Sequence, residues 1–160
     1  MATYNKFNAF VEDLANAVHN FSTHTFKLAL FVPGAPTPPN AADTDVNTTP
    51  SPNQLISTSN INEIAAGNGY TEDGESITIT TNSQSGGTYT LAANQVVWTC
   101  VTAAMAAFRY VVLYNISGGA AGTRPVIAWW DYGSSVTLNV GETFTSKFNN
   151  ANPGTIFTIV

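Results

Sequence analysis

Charged side chains are scarce in this sequence. They make up 9% of its 160 residues, against about 25% in an average soluble domain. Only five are Lys or Arg, which leaves a net charge of −5. Binding to a phosphate backbone or to an anionic membrane surface requires clustered cations, and these five are dispersed from Lys6 to Lys147. The composition therefore argues against a nucleic-acid partner and against a membrane partner.

Cysteine and long apolar runs are also lacking. The single cysteine, Cys100, excludes an intrachain disulfide, and its neighbours Val96, Val97 and Val101 predict a buried, inert thiol. No stretch is long enough to cross a bilayer as a helix. The N-terminus has no basic segment followed by an apolar run, so we expect no signal peptide.

Threonine, asparagine and serine are abundant instead, with 22, 17 and 11 residues. Threonine favours strands because its branched Cβ suits the pleated surface, whereas asparagine favours turns. Hydrophobic residues make up 44% of the chain, which is enough to form a core. The composition predicts a mainly β protein with an uncharged polar exterior.

The periodicity of an α-helix is present over residues 4–21. Apolar residues recur three and four positions apart and would share one face, with Glu12 and Asp13 on the opposite side. The members of this apolar face are Phe7, Phe10, Val11, Leu14, Val18 and Phe21. We predict one amphipathic helix within an N-terminal segment, 1–25, which docks on a sheet or on another subunit.

Residues 26–160 are predicted to form a single β domain. Strand-like runs bounded by turn residues cover 26–32, 75–81, 87–100, 106–115, 124–132, 135–140, 142–148 and 155–160. Short strands at regular spacing predict an antiparallel β-sandwich or partly closed barrel of about seven to eight strands. Residues 33–53 hold six of the eight prolines, which predicts a loop or extended arm.

The stretch AWWDYG, residues 128–133, is rich in aromatic side chains. Alternation along a strand places Ile127 and Trp129 on one face, and Trp130 and Tyr132 on the other. The preceding predicted strand is also apolar on both faces, so the two are typical of a buried central hairpin. A sugar-binding platform would instead expose one aromatic face beside polar groups, and core packing is the better supported interpretation.

Candidate metal and catalytic residues are few. His19 and His24 lack the further ligands that a zinc site needs, and we predict that they are solvated. The segment 43–47 begins like a calcium loop but lacks its glycine and its bidentate glutamate. Asp131 and Glu142 lie on neighbouring predicted strands, where their separation decides whether they could act as a carboxylate pair. We predict no enzyme activity, no metal and no cofactor.

Several motifs carry a resemblance to a known family. They are YNKFNAFVEDLANAVHNF, FKLALF, EIAAGNGY, VVWTC, FRYVVLYN and WWDYGSSVTLNVGETFT. In this order, over most of the chain, they resemble small virion structural proteins of tailed bacteriophages. The resemblance implies a non-enzymatic decoration or cement protein on the outer shell of the virion head. The implied partners are the major capsid protein and other copies of the chain, as a dimer or trimer.

The N-terminal helix and the proline-rich arm are the predicted contact elements. Proline reduces the entropy lost when an arm becomes ordered on a partner. The residues predicted to form a subunit or capsid interface are Tyr4, Phe7, Phe10, Val11, Pro36, Pro38 and Pro39. The alternative hypothesis is a binding module on a tail or fibre that recognises a host glycan or receptor. A polysaccharide hydrolase using Asp131 and Glu142 is the least supported of the three hypotheses.

Overall fold

The computed structural model describes residues 2–33, 38–48, 54–56 and 61–160. This part of the chain holds twelve strands, one α-helix and a short 3₁₀ turn. The helix is α1 (Ala9–Ala15), and the turn covers Phe148–Asn150. The strands are β1 (Thr3–Lys6), β2 (Phe26–Phe31), β3 (Asp45–Asn47), β4 (Gln54–Ile56), β5 (Glu75–Ser76), β6 (Ile79–Ser85), β7 (Thr88–Ala93), β8 (Val96–Thr99), β9 (Phe108–Asn115), β10 (Arg124–Val136), β11 (Thr143–Ser146) and β12 (Gly154–Ile159).

The strands form three antiparallel sheets. The largest has seven strands in the order β4-β3-β10-β9-β2-β5, with β1 also paired to β10. One edge of β10 carries two short strands, since β3 pairs with residues 124–125 and β1 with residues 128–131. A second sheet has three strands in the order β12-β7-β6, and a third sheet consists of β11 and β8.

Strands β5 and β6 connect the two larger sheets into a partly closed barrel. Only residues 77 and 78 separate them, and the Ile77 amide still donates to the Phe26 carbonyl at 3.0 Å. Counted as one bent strand, they complete the path β1, β10, β9, β2, β5/β6, β7, β12. Within the described residues β12 and β1 do not pair with each other, so the barrel is open between them. The predicted fold, mainly β with one N-terminal helix, is confirmed.

The central strands of the large sheet are buried on both faces. On β2, Leu28 and Leu30 enter an interior cluster between the sheets, whereas Ala29 and Phe31 enter an outer cluster on the opposite face. Strand β9 alternates in the same way from Tyr110 to Tyr114. A strand that is covered on both faces has a nearly continuous apolar sequence. This feature of the sequence predicted the central hairpin.

A bulge changes the side-chain alternation that the sequence predicted on β10. The register against β9 shifts between Val126 and Ala128. As a result, Ile127 and Ala128 both belong to the interior cluster, while Trp129 belongs to the outer one. The prediction that Ile127 and Trp129 share a face is therefore wrong.

The N-terminal helix is much shorter than the predicted span of 4–21. Residues Thr3–Lys6 form β1, because they pair with β10. Phe7 then enters the outer cluster and Phe10 the interior cluster, so the apolar residues serve two cores instead of one helix face. The helix ends before Ala17, whose φ of 56° is incompatible with its continuation. The division of the chain at residues 25 and 26 stays a prediction.

The proline-rich segment contains a strand that the sequence did not predict. Strand β3 lies within residues 33–53 and pairs with both β10 and β4. Residues 34–37 and 49–53 lie outside the described residues. The predicted burial of Cys100 is confirmed, and its Sγ lies 2.9 Å from the Ala103 carbonyl oxygen.

Candidate functional site

The opening between β1 and β12 is a groove with two connected parts. The larger part has a volume of about 740 Å³ and is lined by β1, β10, β11, β12 and the 3₁₀ turn. The smaller part, of about 370 Å³, is lined by β1, α1 and β12. Tyr4, Phe157 and Thr158 line both parts, so we treat them as one surface, the β1–β12 groove. Its size is in the range of ordinary ligand clefts, roughly 300–1,000 Å³.

Strand β1 presents a backbone edge to this groove. The Phe7 amide donates to the Ile127 carbonyl at 3.2 Å, and Tyr4 lies opposite Trp130 in the antiparallel register. Alternate residues of an antiparallel strand exchange hydrogen bonds with the neighbouring strand. The backbone groups of Tyr4 and Lys6 therefore point away from β10, and both residues line the groove.

Strand β12 forms the opposite edge of the groove. It pairs with β7 on one side, and a register shift between Thr155 and Phe157 accompanies the packing of both Ile156 and Phe157 against the interior cluster. A Cβ on Gly154 would lie 1.8 Å from the Phe148 carbonyl oxygen. Only glycine permits such a close approach, and this approach fixes the 3₁₀ turn against the end of β12.

Aromatic rings form one wall of the groove. The Tyr4 and Trp130 ring centroids are 5.6 Å apart, and Trp130 lies 5.7 Å from Phe148, both in edge-to-face geometry. Tyr4 and Tyr132 are each 42% exposed, and Trp130 is half-buried. Trp129 is buried against Phe7 instead. The prediction of core packing is confirmed for Trp129, whereas Trp130 packs against the interior cluster but is only partly buried and also lines the groove.

The charge of the groove is opposite to that of the chain as a whole. Lys147 lines the larger part and Lys6 the smaller part. None of the described residues that line either part is Asp or Glu. An acidic chain therefore carries a basic groove, which favours negatively charged partners.

The margin of the smaller part is apolar. Tyr4, Val11 and Ile159 are 42%, 52% and 47% exposed and lie around the same depression, with Phe10 beneath them. Among the described residues, these three account for most of the large exposed apolar side chains near α1 and β12. A grouping of exposed apolar side chains indicates an interaction surface.

The structure separates the residues predicted to form an interface. Phe7, Phe10 and Pro39 are buried within the single chain. Phe7 follows β1 directly and packs in the outer cluster against Trp129. Pro38 is exposed, whereas Pro36 lies outside the described residues. Partner contacts by all seven residues named from the sequence stay a prediction.

The two histidines differ from the predicted solvated pair. His19 is buried, and burial, with a smaller contribution from His24, lowers its pKa to about 4. The Nδ1 atoms of His19 and His24 lie 3.1 and 3.0 Å from Nδ2 of Asn115. Sequence spacing could not reveal this cluster, because Asn115 lies at the far end of β9. In the part of the chain that the structure describes, no three His, Cys, Asp or Glu side chains form a metal-binding group.

The carboxylates singled out in the sequence take part in local contacts. Arg109 donates to both Asp131 oxygens, at 2.7 and 2.9 Å, and these bonds lower the pKa of Asp131. Glu142 accepts a hydrogen bond from the Asn139 amide at 2.7 Å. Asp43, at the start of the calcium-like segment, is buried and accepts a bond from a backbone amide at 2.8 Å.

No protein-family model, no curated protein and no solved structure matches the chain. None of the described helices has the length and apolar character required to span a bilayer. A functional proposal therefore depends on the β1–β12 groove and on the motifs of the sequence.

Proposed function

We propose that the chain is a non-enzymatic structural protein of a tailed-phage virion, a decoration or cement protein that binds the outer shell of the head. The observation that carries the proposal is the grouping of Tyr4, Val11 and Ile159 at the margin of the groove. Exposed apolar side chains that cluster in this way are typical of protein contact surfaces. The resemblance of the sequence motifs supports a tailed-phage virion as the particle. The exposed apolar margin supports the groove as the surface that contacts it.

The surface chemistry supports attachment to a shell by shape and area. Contacts between uncharged groups are little affected by salt, whereas exposed ionic contacts are screened beyond about 8 Å at physiological ionic strength. With 9% charged residues, the protein would hold its partner over a wide range of salt concentration. The proposed partners are the major capsid protein and further copies of the chain, as a dimer or trimer.

Two valines offer a matched test of this proposal. Val11 is 52% exposed at the groove margin, and Val101 is 56% exposed but does not line the groove. We expect Val11→Asp to weaken binding to expanded capsids at least tenfold, and Val101→Asp to bind like the unaltered protein. Binding should also raise the temperature at which the capsids rupture. Equal robustness of capsids with and without the chain, and imaging that places it elsewhere on the virion, would contradict the proposal.

A second candidate is a module on a tail or fibre that binds a host glycan. The observation favouring it is the position of Trp130 and Tyr132 in the larger part of the groove, beside Asn149 and Lys147. A glycan array tests it, with Trp130→Ala as the site variant. Retention of a glycan by the unaltered protein and its loss in Trp130→Ala would support this candidate, and absence of any retained glycan would remove it.

A further inference from the structure

We propose that the β1–β12 groove accepts one extended strand of a different polypeptide, which pairs with β1 and β12 and completes the barrel. The strand would carry alternating apolar and acidic side chains. This inference goes beyond the proposed function, since a groove that accepts a strand would do so in any assembly. It rests on the backbone edges, the side chains and the charge of the groove.

The backbone provides the first step. Tyr4 and Lys6 direct their amides and carbonyls away from β10, and among the described residues no backbone–backbone hydrogen bond reaches this outward side. An edge with outward N–H and C=O groups is a template for pairing with another strand. Because β12 pairs only with β7 among the described strands, an inserted strand would have an edge on each side.

The side chains provide the second step. Tyr4 and Phe157 line both parts of the groove, Trp130 lines the larger part and Phe10 lines the smaller part. Successive side chains of an inserted strand point to opposite faces. Those that face inward would meet aromatic rings, which suits aliphatic residues such as valine. In strand addition, backbone bonds give affinity and such side-chain contacts give specificity.

The charge of the groove indicates which residues alternate with the aliphatic ones on the inserted strand. It also indicates whether that strand comes from a second copy of this chain or from a different polypeptide. Lys6 and Lys147 are the charged residues among the described residues that line the groove, and both are exposed. Their long side chains can extend to the open side of the groove, where they would meet acidic side chains on the outward face of an inserted strand. A second copy of this chain that paired through its own β1 would bring a second Lys6 into the same groove. Like charges on paired strands are destabilising, and lysine on an edge strand opposes self-pairing. The occupant is therefore a separate, acidic strand.

A peptide of defined composition tests the inference. The probe is acetyl-Glu-Val-Glu-Val-Glu-Val-amide, compared with the same peptide carrying lysine in place of glutamate and with one whose valines are N-methylated. We expect the acidic peptide to bind and to slow amide exchange at Tyr4 and Lys6 at least tenfold. The lysine peptide should bind at least tenfold more weakly. The N-methylated peptide should not bind, because it lacks half of its pairing donors.

A pair of variants at one position isolates the backbone contribution. Tyr4→Ala and Tyr4→Pro both remove the ring, but only proline also removes the outward N–H. The ladder to β10 does not use this N–H, and proline is tolerated on edge strands that direct their N–H outward. We expect both variants to melt cooperatively and Tyr4→Pro to bind the acidic peptide at least tenfold more weakly than Tyr4→Ala.

Several results would overturn the inference. The acidic peptide could fail to bind at millimolar concentration, or the N-methylated peptide could bind as tightly as the acidic one. The amide exchange rates of Tyr4 and Lys6 could also be unchanged in the bound state. Protection of these amides by self-association would assign the groove to a second copy. A glycan retained by the unaltered protein and lost in Trp130→Ala would assign it to carbohydrate. Peptide binding and capsid binding are separate measurements, so failure of one is distinguishable from failure of the other.

Discussion

Tyr4 and Trp130 are register partners on β1 and β10, and their rings meet edge to face with centroids 5.6 Å apart. This contact joins the start of the chain to the central hairpin of the large sheet. The adjacent Trp129 points to the opposite face and lies 4.5 Å from Phe7. Two successive tryptophans therefore have different roles, one in the outer core and one in the wall of the groove.

The different positions of the tryptophans predict different costs of truncation. Trp129→Ala would leave a cavity in the outer cluster, and such truncations cost about 3–5 kcal/mol. Trp130→Ala should cost clearly less, because its side chain is only half-buried beside an open groove. Urea denaturation of both variants measures the two free energies of unfolding. Equal losses would contradict the assignment of Trp130 to the groove wall.

Tyr70 is predicted to stabilise the interior through its hydroxyl group. This buried hydroxyl donates to the Glu63 carboxylate and accepts from the Leu30 amide at 3.0 Å. Tyr70→Phe removes both bonds and should lower the free energy of unfolding by about 1–3 kcal/mol. Tyr132→Phe, at an exposed position, is the control and should change little. A stable Tyr70→Phe variant in thermal or urea unfolding would show that the bonds contribute nothing.

Gly154 is predicted to be irreplaceable at the groove. An added Cβ would meet the Phe148 carbonyl oxygen at 1.8 Å, so Gly154→Ala must displace the 3₁₀ turn. Overpacking of this kind costs about 1–3 kcal/mol. At Gly122 an added Cβ has its nearest neighbour at 3.9 Å, and Gly122→Ala should be tolerated. Comparison of the two melting temperatures is the measurement, and an equal response would refute the close approach.

His19 is predicted to make the protein less stable in acid. Its pKa is about 4 in the fold and 6.5 in an ordinary setting, because burial disfavours the imidazolium. As the pH falls from 6.5 to 4, the unfolded chain binds the proton first, so the free energy of unfolding decreases. The decrease is at most roughly 3 kcal/mol, from about 1.36 kcal/mol for each pKa unit. Urea unfolding at several pH values measures it.

A pair of histidine variants provides the control for this pH dependence. His19→Phe keeps a ring among Phe10, Phe21 and Phe26 but removes the titrating group, so its stability should vary less between pH 4 and 6.5. His24→Gln leaves His19 in place and should keep most of the slope. Asp13 Oδ2 lies 3.7 Å from His19 Nε2, and the pKa of Asp13 is raised by burial, which acts in the opposite direction to the effect of His19. Equal slopes in both variants would exclude His19 as the source.

The fold class was predictable because its signals are local. The nearly continuous apolar runs over residues 26–31 and 108–115 and the uncharged, threonine-rich composition both follow from the needs of strands that are buried on one or two faces. The helix was overextended for a physical reason. The helical spacing combined Phe7 of the outer cluster, Phe10 of the interior cluster and the exposed Val11. Periodicity does not distinguish such a mixture from one apolar face.

The groove could not be predicted from the sequence. Its walls come from Tyr4 and Phe157, which lie at opposite ends of the chain and meet only through the closure of the barrel. Trp130 shows the same limit, because its exposure depends on the bulge near Ala128 and on the outer edge of β1, which no described strand covers. Neither feature has a signature within the local sequence.

Hydrogen exchange of the protein bound to expanded capsids, compared with the free protein, tests most directly whether the β1–β12 groove is the contact surface. We predict slower exchange in peptides covering residues 2–11 and 154–160, with residues 97–106 unchanged. Slower exchange confined to residues 97–106, with both groove strands exchanging as in the free protein, would show that the groove is not the contact surface.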